Sequence, residues 1–385
     1  MDPDRPARRR HVDVAVIGGG IIGCAAAAIM ADRGARVALV EGAAIGAGAS
    51  GRNLGAIQHP FDRALAPLYH ESLTRYRALA DASGGAFTVG AAPAGLLLLS
   101  HDREAVAGQV GRFRSIDPSL APEVLDPEQV VSLEPSLAPG PSGIRLTTGF
   151  PIPPASATEA WADLAEGRGA MLLIGVPGHP IIESGRASGV ALDDGDRILA
   201  DAVLVAAGPW TPRLVDPTGA WRPIEATYGV TVQLRLGDAA PRHIIEEDAL
   251  DTINRTEPAR TTAPDAEPPS LFSIASAGGI STLGSTFLPA EPDPAAVEPL
   301  LLRRAAAFLP AIATAEIVGR RMCARPQSID GRPFIGAMEG VEGLFVCAGH
   351  GPWGISTGPA SAAIAARAVL DGTPPPVELA ASRCL

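Results

Sequence analysis

Apolar and polar positions along residues 11–41 predict a strand, a glycine turn, a helix and a second strand. Residues 12–17, VDVAVI, form a short apolar run rich in β-branched side chains, which is typical of a buried parallel strand. Three glycines follow it, and a helix is predicted from residue 21 to about residue 33. Residues 36–40 form the second strand, which ends at the acidic Glu41. This order of elements is the one that binds a dinucleotide.

The chemistry of phosphate binding explains why this turn consists of glycines. Gly18, Gly19 and Gly20 carry no Cβ, so backbone N–H groups can approach a pyrophosphate at the positive N-terminus of the helix. Gly23 lets that helix pack closely on the strand. Glu41 follows Gly23 by 18 residues, close to the ~20 expected for the acid that binds the ribose hydroxyls. A glycine-rich turn in an α/β domain that binds nothing is the alternative.

Four further segments distinguish between NAD and FAD. Residues 46–57, GAGASGRNLGAI, form a second small-residue loop where an NAD-binding domain would continue into another strand and helix. A long, extended cofactor needs such a second cradle. The other three segments are the strand AVLVAAGPW at 202–210, the sequence RPQSIDGRPFIG at 325–336, and the run GLFVCAGHGPWGI at 343–355 before an Ala-rich helix at 358–370.

Length and composition narrow the class of protein. A chain of 385 residues exceeds the ~250–300 at which single cores stop growing, so two domains are expected. The net charge of −11 argues against a nucleic-acid partner, and the chain contains no lysine, which excludes Schiff-base catalysis and a Walker-type phosphate loop. Its four cysteines have no CxxC spacing, so no metal site is expected. The first ten residues resemble a disordered lead-in rather than a signal peptide and no membrane span is found, so a cytoplasmic protein is expected.

The five motifs together resemble the D-amino-acid oxidase superfamily of FAD-dependent oxidoreductases, most closely its glycine oxidase and sarcosine oxidase branch. The resemblance follows nearly the whole chain in order. It implies an α/β fold in which a discontinuous FAD-binding Rossmann-type domain is interleaved with an α+β substrate domain built on a large mixed sheet. The FAD-binding domain would comprise residues 1–86, 150–222 and 324–385, and the substrate domain residues 87–149 and 223–323.

The resemblance also implies which residues contact the cofactor. Val176 would meet the adenine through its backbone, and residues 350–356 would run beside the isoalloxazine. A helix N-terminus at Gly354 and Ile355 would stabilise negative charge on the reduced ring. The full set of predicted cofactor contacts is Gly18, Gly20, Ile21, Ile22, Gly23, Glu41, Gly42, Ala49, Ser50, Arg52, Asn53, Leu54, Gly55, Ala56, Val176, Ala207, Gly208, Trp210, Cys323, Gly349, His350, Gly351, Pro352, Trp353, Gly354, Ile355 and Ser356.

Arg325 is the predicted clamp for a substrate carboxylate. It matches the family arginine that precedes a proline, and a planar guanidinium suits bidentate pairing with a carboxylate. The family's second polar contact in the last turn falls at Pro352, and its active-site tyrosine falls near Phe272, so neither position has a donor. Phe272 and Trp353 would therefore make the pocket apolar. A larger amino acid, or an N-substituted glycine with an apolar amine, fits such a pocket better than free glycine.

His350, Cys323 and one long segment leave alternatives open. His350 could tune the flavin or relay a proton, or be a structural histidine bonded to the backbone. Cys323 lies seven residues before Asp330, the spacing at which the related sarcosine oxidases carry a cysteine bonded to the flavin, but a buried core cysteine is the alternative. Residues 246–269 are polar and proline-rich, which predicts a loop that either covers the substrate or is a surface insertion.

The implied activity is FAD-dependent oxidation of the CH–NH bond of an α-amino acid or N-carboxymethyl amine to an imine, which water hydrolyses. For an N-substituted glycine this is an oxidative N-dealkylation. The catalytic residues would be Arg325, His350 and Trp353, acting by orientation and desolvation without an obligatory base, with O2 as the electron acceptor. Two alternatives remain: a D-amino-acid dehydrogenase that passes electrons to a quinone or another carrier, and a non-catalytic dinucleotide-binding protein.

Overall fold

The computed structural model describes residues 9–248 and 269–383, which form two large mixed sheets and the helices around them. The strands are β1 (Arg9–Ile17), β2 (Val37–Glu41), β3 (Ala56–Ile57), β4 (Leu96–Ser100), β5 (Glu123–Leu125), β6 (Ser142–Leu146), β7 (Phe150–Pro151), β8 (Met171–Ile174), β9 (Gly178–Glu183), β10 (Arg186–Leu192), β11 (Arg197–Val205), β12 (Ile224–Arg235), β13 (Ile244–Glu247), β14 (Ser270–Ala277), β15 (Ile280–Thr286), β16 (Glu316–Ser328), β17 (Phe334–Ala337) and β18 (Leu344–Ala348). The helices are α1 (Ile21–Asp32), α2 (Ala66–Ala82), α3 (Arg103–Ile116), α4 (Pro127–Leu133), α5 (Ser156–Gly167), α6 (Thr211–Val215), α7 (Pro294–Ala306) and α8 (Gly354–Asp371).

The first sheet contains the dinucleotide turn. Its strand order is β17-β18-β11-β1-β2-β8, with β18, β11, β1, β2 and β8 parallel and the hairpin β9-β10 added at β11. Side chains of β1 alternate between the two faces: Val14 and Val16 belong to the core that contains Met30 of α1, whereas Ala15 and Ile17 belong to the core on the opposite face. Because β1 is covered on both faces, its sequence is a nearly continuous apolar run.

The second sheet is antiparallel apart from one strand pair. Its order is β16-β12-β15-β14-β13-β4-β6-β5, and only β13 and β4 run parallel among the strands described. One face packs against α7, where Val230, Phe272 and Leu301 share one core. Strands β4–β6 fall in residues 87–149 and β12–β15 in residues 223–323, while β16 runs through the predicted boundary at 323/324. The division into two domains stays a prediction.

The polar segment that begins at Glu246 is not all loop. Glu246 and Glu247 end strand β13, so the loop prediction is wrong for these two residues. The physical reason is tertiary pairing: β13 lies between β14 and β4, and this context overrides the low strand propensity of glutamate. Residues 249–268 of that segment lie outside the described residues. Among the helices of the described part, none is both long and apolar enough to cross a membrane.

Candidate active site

A cavity of about 830 Å³ extends from the glycine turn after β1 to the face of the second sheet. Its walls come from parts of the chain that are distant in sequence. They include the turn after β1, the end of β2, the small-residue loop at 46–55, the end of β11, strands of the second sheet, and the turn before α8. The sequence motifs therefore converge on a single cavity.

The glycine turn fits a pyrophosphate because side chains are excluded from it. Gly18 has φ of +116°, and a Cβ there would lie 2.4 Å from the carbonyl oxygen of Ala206, which directly follows β11. A Cβ on Gly23 would lie 1.9 Å from the carbonyl oxygen of Gly18, so α1 can begin directly behind the turn only with glycine here. The backbone N–H groups at the N-terminus of α1 border the cavity, and Ile21 donates to Oγ of Ser50 at 3.0 Å. This arrangement is suited to an anion.

Glu41 is held firmly at the end of β2. Its Oε2 accepts the N–H of Gly19 at 2.7 Å, and its Oε1 accepts the N–H of Ala43 at 2.8 Å. Each carboxylate oxygen keeps further acceptor capacity for a hydroxyl. The carboxylate therefore lies beside the glycine turn in an orientation that fits the ribose of a dinucleotide.

The second small-residue loop is fixed by its own side chains and by two arginines. Asn53 donates to the carbonyl of Ser50 at 2.7 Å and accepts the N–H of Gly55 at 2.7 Å, so it shapes the loop from within. Arg321 on β16 donates to the carbonyls of Gly51 and Asn53 at 3.2 and 3.3 Å. Arg52 donates back to the carbonyl of Met322 at 3.1 Å. These bonds tie the loop to the second sheet, and sequence reasoning missed the part played by Arg321.

Most of the predicted cofactor contacts line the cavity. They are Gly18, Gly20, Ile21, Ile22, Glu41, Gly42, Ala49, Ser50, Arg52, Asn53, Leu54, Ala56, Ala207, Gly208, Trp210, Cys323, His350, Gly351, Pro352, Trp353, Gly354, Ile355 and Ser356. Gly23, Gly55, Val176 and Gly349 do not line it. The N–H of Val176 is instead bonded to the carbonyl of Glu41 at 3.2 Å. Gly23 and Gly55 lie close to other backbone atoms, and Gly349 lies close to side chains. An extended cavity with two glycine-containing cradles fits FAD.

The turn before α8 brings a neutral histidine and a tryptophan to the cavity. His350 is buried, and burial lowers its pKa to about 3, so the imidazole is uncharged near neutral pH. Neither of its ring nitrogens has a hydrogen-bond partner in the described part of the chain. Trp353 lies at the N-terminal end of α8, with its ring edge-on to Phe61 at 6.2 Å between centroids. The imidazole can therefore donate one hydrogen bond and accept another within the cavity.

Arg325 presents a guanidinium to the cavity from β16. Its Nη1 donates to the carbonyl of Thr286 at 2.9 Å, its Nη2 donates to the hydroxyl of Ser285, and its guanidinium carbon lies 4.9 Å from the ring centroid of Phe287. Burial lowers the pKa of Arg325, but a guanidinium stays charged in proteins. Opposite it, a Cβ on Gly229 would lie 2.2 Å from Nη2. Gly229, which sequence reasoning did not identify, therefore makes the space in which the guanidinium lies.

The expectation that Phe272 lines the pocket is wrong. Phe272 is buried on the opposite face of the second sheet, where its ring stacks on Phe308 with centroids 5.0 Å apart and planes 10° apart. Side chains alternate along β14, so Ser273 takes the position facing the cavity. The aromatic wall beside Arg325 comes from Phe287, the residue that follows strand β15. The pocket thus has a hydroxyl where an apolar ring was expected.

A buried carboxyl group is the main feature that the sequence did not reveal. Glu246 lines the cavity with 2% of its surface exposed, and its Oε1 accepts a hydrogen bond from Nε2 of Gln58 at 3.1 Å. Burial raises the pKa of Glu246 to about 7, and the hydrogen bond from Gln58 lowers it only in part. The only sequence signal was an acid directly after two isoleucines, a position that strand alternation can bury.

Cys323 lies on β16 beside Gly229, is 5% exposed and lines the cavity. This position agrees with both alternatives for Cys323, a bond to the flavin and a buried core cysteine.

A separate group of His59, His70 and Asp117 has three ligand atoms within 4.8 Å of one another. Nδ1 of His59 accepts the N–H of Phe61 at 3.0 Å, so its Nε2 carries the proton toward Asp117. In this tautomer Nε2 is a donor and not a metal ligand; it lies 3.4 Å from Oδ2 of Asp117 without forming a hydrogen bond.

Comparisons with known proteins agree with this geometry. The chain matches the family described as DAO, FAD dependent oxidoreductase, over residues 13–368. It is 29% identical to the glycine oxidase of Geobacillus kaustophilus (strain HTA426) over 363 residues, 90% of each chain. A crystal structure of glycine oxidase from Geobacillus kaustophilus has a TM-score of 0.80 at 26% identity and covers 98% of this chain and 100% of that one. The iminodiacetate oxidase from Chelativorans sp. BNC1 shares the fold, with a TM-score of 0.79, 21% identity and coverage of 95% and 98%.

Proposed function

Because the chain belongs to the DAO family of FAD-dependent oxidoreductases, we propose that it oxidises the CH–NH bond of an amine that carries a carboxylate. The substrate is an α-amino acid or an N-carboxymethyl amine, the product is an imine that water hydrolyses, and O2 is the electron acceptor. The observation that carries this proposal is the guanidinium of Arg325, which lines the FAD cavity beside the ring of Phe287.

Arg325 supports the carboxylate assignment by its surroundings. Two of its hydrogen bonds go to the uncharged acceptors of Thr286 and Ser285, and it is not among the ion pairs of the described residues. A charged guanidinium at a cavity wall, with N–H groups left over, is well placed to bind an anion with two parallel hydrogen bonds. Its bonds to the sheet fix its orientation before the substrate arrives, which lowers the entropic cost of positioning.

The cofactor and the remaining residues divide the other tasks. When bound along the two glycine cradles, FAD supplies the acceptor for the electron pair of the CH–NH bond. Glu41 and the N-terminus of α1 would hold its ribose and pyrophosphate. Trp353 and Phe287 exclude water from the substrate, and His350, being uncharged, can hold a hydrogen bond without adding charge to the site.

The shape of the site favours a substrate larger than glycine. The similarity to glycine oxidase suggests an α-amino acid, but Pro352 offers no N–H donor in the turn before α8. The apolar side chains of Trp353, Phe287 and Leu54 line the cavity, and Phe287 lies against Arg325. We therefore favour an N-substituted glycine or an amino acid with an apolar side chain, which would bury its own surface against these walls.

A panel of amines tests the proposal. The FAD-loaded protein is mixed without oxygen with glycine, N-methylglycine, N-benzylglycine, D- and L-alanine, L-proline and benzylamine, and bleaching of the flavin absorbance is followed. We expect N-benzylglycine to bleach the flavin faster than glycine, benzylamine to be poor because it lacks a carboxylate, and air to restore the yellow colour. Reduced flavin that is stable in air would indicate a dehydrogenase. If no carboxylate-bearing amine bleaches the flavin, the proposed function is wrong.

A further inference from the structure

We propose that Glu246 is a second polar anchor of the substrate site, which accepts the N–H of the substrate amine and takes the proton of its ammonium form. This inference rests on the proposed function, because it assigns the amine end of the same substrate. Glu246 lines the same cavity as Arg325, and its Oε2 has no hydrogen-bond partner among the described residues. A buried carboxylate oxygen without a partner is costly, and an N–H group from a ligand would remove that cost.

Gln58 holds the carboxyl group in place. Its Nε2 bonds Oε1 of Glu246 at 3.1 Å, while its backbone N–H donates to Oγ of Ser356 at 3.0 Å, next to the turn before α8. Oε1 of Gln58 also lacks a partner in the described part of the chain. The pair therefore offers two unpaired acceptors, which match the two N–H bonds of a protonated secondary amine.

The second sheet sets the separation of Glu246 and Arg325. Glu246 on β13 pairs with Ser273 on β14, and Ser273 pairs with Gly284 on β15, so β13 and β15 are two strand spacings, about 10 Å, apart. Arg325 reaches to β15, where it bonds Ser285 and Thr286. An α-amine and its carboxylate, with one hydrogen bond at each end, span roughly 8 Å. The spacing of the two strands is close to this span, so we infer that Glu246 and Arg325 can hold the two ends of one zwitterion.

None of the other charged groups among the described residues pairs with Glu246. Glu247 faces the opposite side of the sheet, where it pairs with Arg304, and Asp248 accepts a hydrogen bond from Gln109. On β14 and β4 the residues beside it are Ser273 and Leu98, which carry no charge. Arg325 and the neutral His350 line the same cavity. Among the described residues no cation contacts Glu246, so the substrate ammonium is the cation that fits.

The proton transfer is balanced. The N–H bond of the ammonium breaks, its electron pair stays on nitrogen, and the proton forms an O–H bond with Glu246. A cofactor bound in this cavity would then accept the hydride of the Cα–H bond while the nitrogen electron pair forms the C=N bond of the product. The proton on Glu246 would afterwards pass to water. The raised pKa of Glu246, about 7, makes both of its protonation states accessible near neutral pH.

The test compares Glu246→Gln with the parent and with the control variant Glu298→Gln. Glu298 is a matched control because it is also a buried carboxylate, lies on α7 and pairs with Arg320 outside the cavity. The probes are N-benzylglycine and benzyloxyacetate, which has an ether oxygen in place of the N–H. We expect Glu246→Gln to weaken N-benzylglycine binding, read from the concentration dependence of anaerobic flavin reduction, by about 10- to 100-fold, and to leave the calorimetric affinity for benzyloxyacetate nearly unchanged. The control should leave both affinities at the parent values.

The pH profile separates proton transfer from a structural role. The rate of flavin reduction by N-benzylglycine should rise through an apparent pKa near 7 in the parent and in Glu298→Gln. In Glu246→Gln it should fall by roughly 100-fold at neutral pH and recover toward the parent rate at high pH, where the amine is already neutral in water. Gln58→Met, which removes the donor to Oε1, should move the parent's apparent pKa upward.

The outcomes are distinguishable from a failure of the proposed function. If the parent is reduced by N-benzylglycine but Glu246→Gln keeps the same pH profile and the same ratio of the two affinities, the role of Glu246 is overturned and amine oxidation stands. An equal loss of both affinities, without recovery at high pH, would also overturn it, because that pattern indicates a structural defect. A parent that no amine reduces would overturn the proposed function, and this inference with it.

Discussion

Replacement of Arg325 should damage the use of carboxylate-bearing amines far more than it damages the protein. Arg325→Lys keeps the charge but loses the planar fork, and Arg325→Ala leaves the substrate carboxylate unpaired in a largely apolar site. Loss of a charge-assisted contact there costs about 2–4 kcal/mol, or roughly 30- to 1000-fold in the second-order rate of flavin reduction. Both variants also leave the carbonyl of Thr286 and the hydroxyl of Ser285 without their present donor, so a stability loss of about 1–3 kcal/mol is expected.

The assay is anaerobic stopped-flow reduction with N-benzylglycine, and benzylamine serves as the substrate without a carboxylate. Arg320→Lys is the matched control, because Arg320 is on the same strand but pairs with Glu298 outside the cavity. FAD content should stay unchanged in all three variants, since Arg325 makes no contact with the glycine turn. An Arg325→Ala protein that binds FAD and is reduced by N-benzylglycine at the parent rate would refute the reasoning, because the carboxylate would then be held elsewhere.

Three further predictions follow from other parts of the structure. Gly229→Ala should place a Cβ against Nη2 of Arg325, so the flexible guanidinium should shift and lower the reduction rate by up to about 100-fold without loss of FAD; a parent-like rate would contradict this. Cys323, a small buried side chain, should remain a free thiol, so acid precipitation of the parent should leave FAD in the supernatant. A yellow pellet from the parent, together with a colourless pellet from Cys323→Ser, would establish a covalent bond instead. Burial lowers the pKa of His59 to about 4, so protonation of the unfolded chain should reduce the free energy of unfolding by up to about 3 kcal/mol as pH falls from about 6.5 to 4; denaturant titrations should show a smaller loss for His59→Gln.

The cofactor side of the protein was predictable because its information is local. The glycine turn, the helix behind it and Glu41 form one continuous stretch, and the requirement for glycine is visible in the sequence itself. The predicted family, fold class and FAD cofactor are confirmed by the family match. Arg325 was found through its motif, since the proline and the later DGRPFIG segment fix its position in the chain.

The substrate side was harder because it depends on strand register and on distant pairing. A difference of one residue along β14 exchanges Phe272 for Ser273 at the cavity, since neighbouring side chains point to opposite faces. Glu246 and Gln58 are 188 residues apart and meet only because the tertiary fold brings β13 next to the residue that follows β3. Neither segment contains a pattern that predicts the contact between them. From the sequence, Glu246 was therefore assigned to a polar loop.

The two polar ends of the site together determine which ionic form of a ligand it holds. Arg325 is charged at every working pH, whereas Glu246 changes state near pH 7 under the proposed role. Below that pH the pair carries one net positive charge, which favours a ligand with a carboxylate alone. Above it the pair is neutral overall and, under the proposed role, has one opposite charge for each end of an ammonium carboxylate. The affinity ratio of N-benzylglycine to benzyloxyacetate should therefore rise with pH in the parent and stay flat in Glu246→Gln, because only a titrating carboxyl at the amine end can change the preference while the carboxylate clamp remains constant.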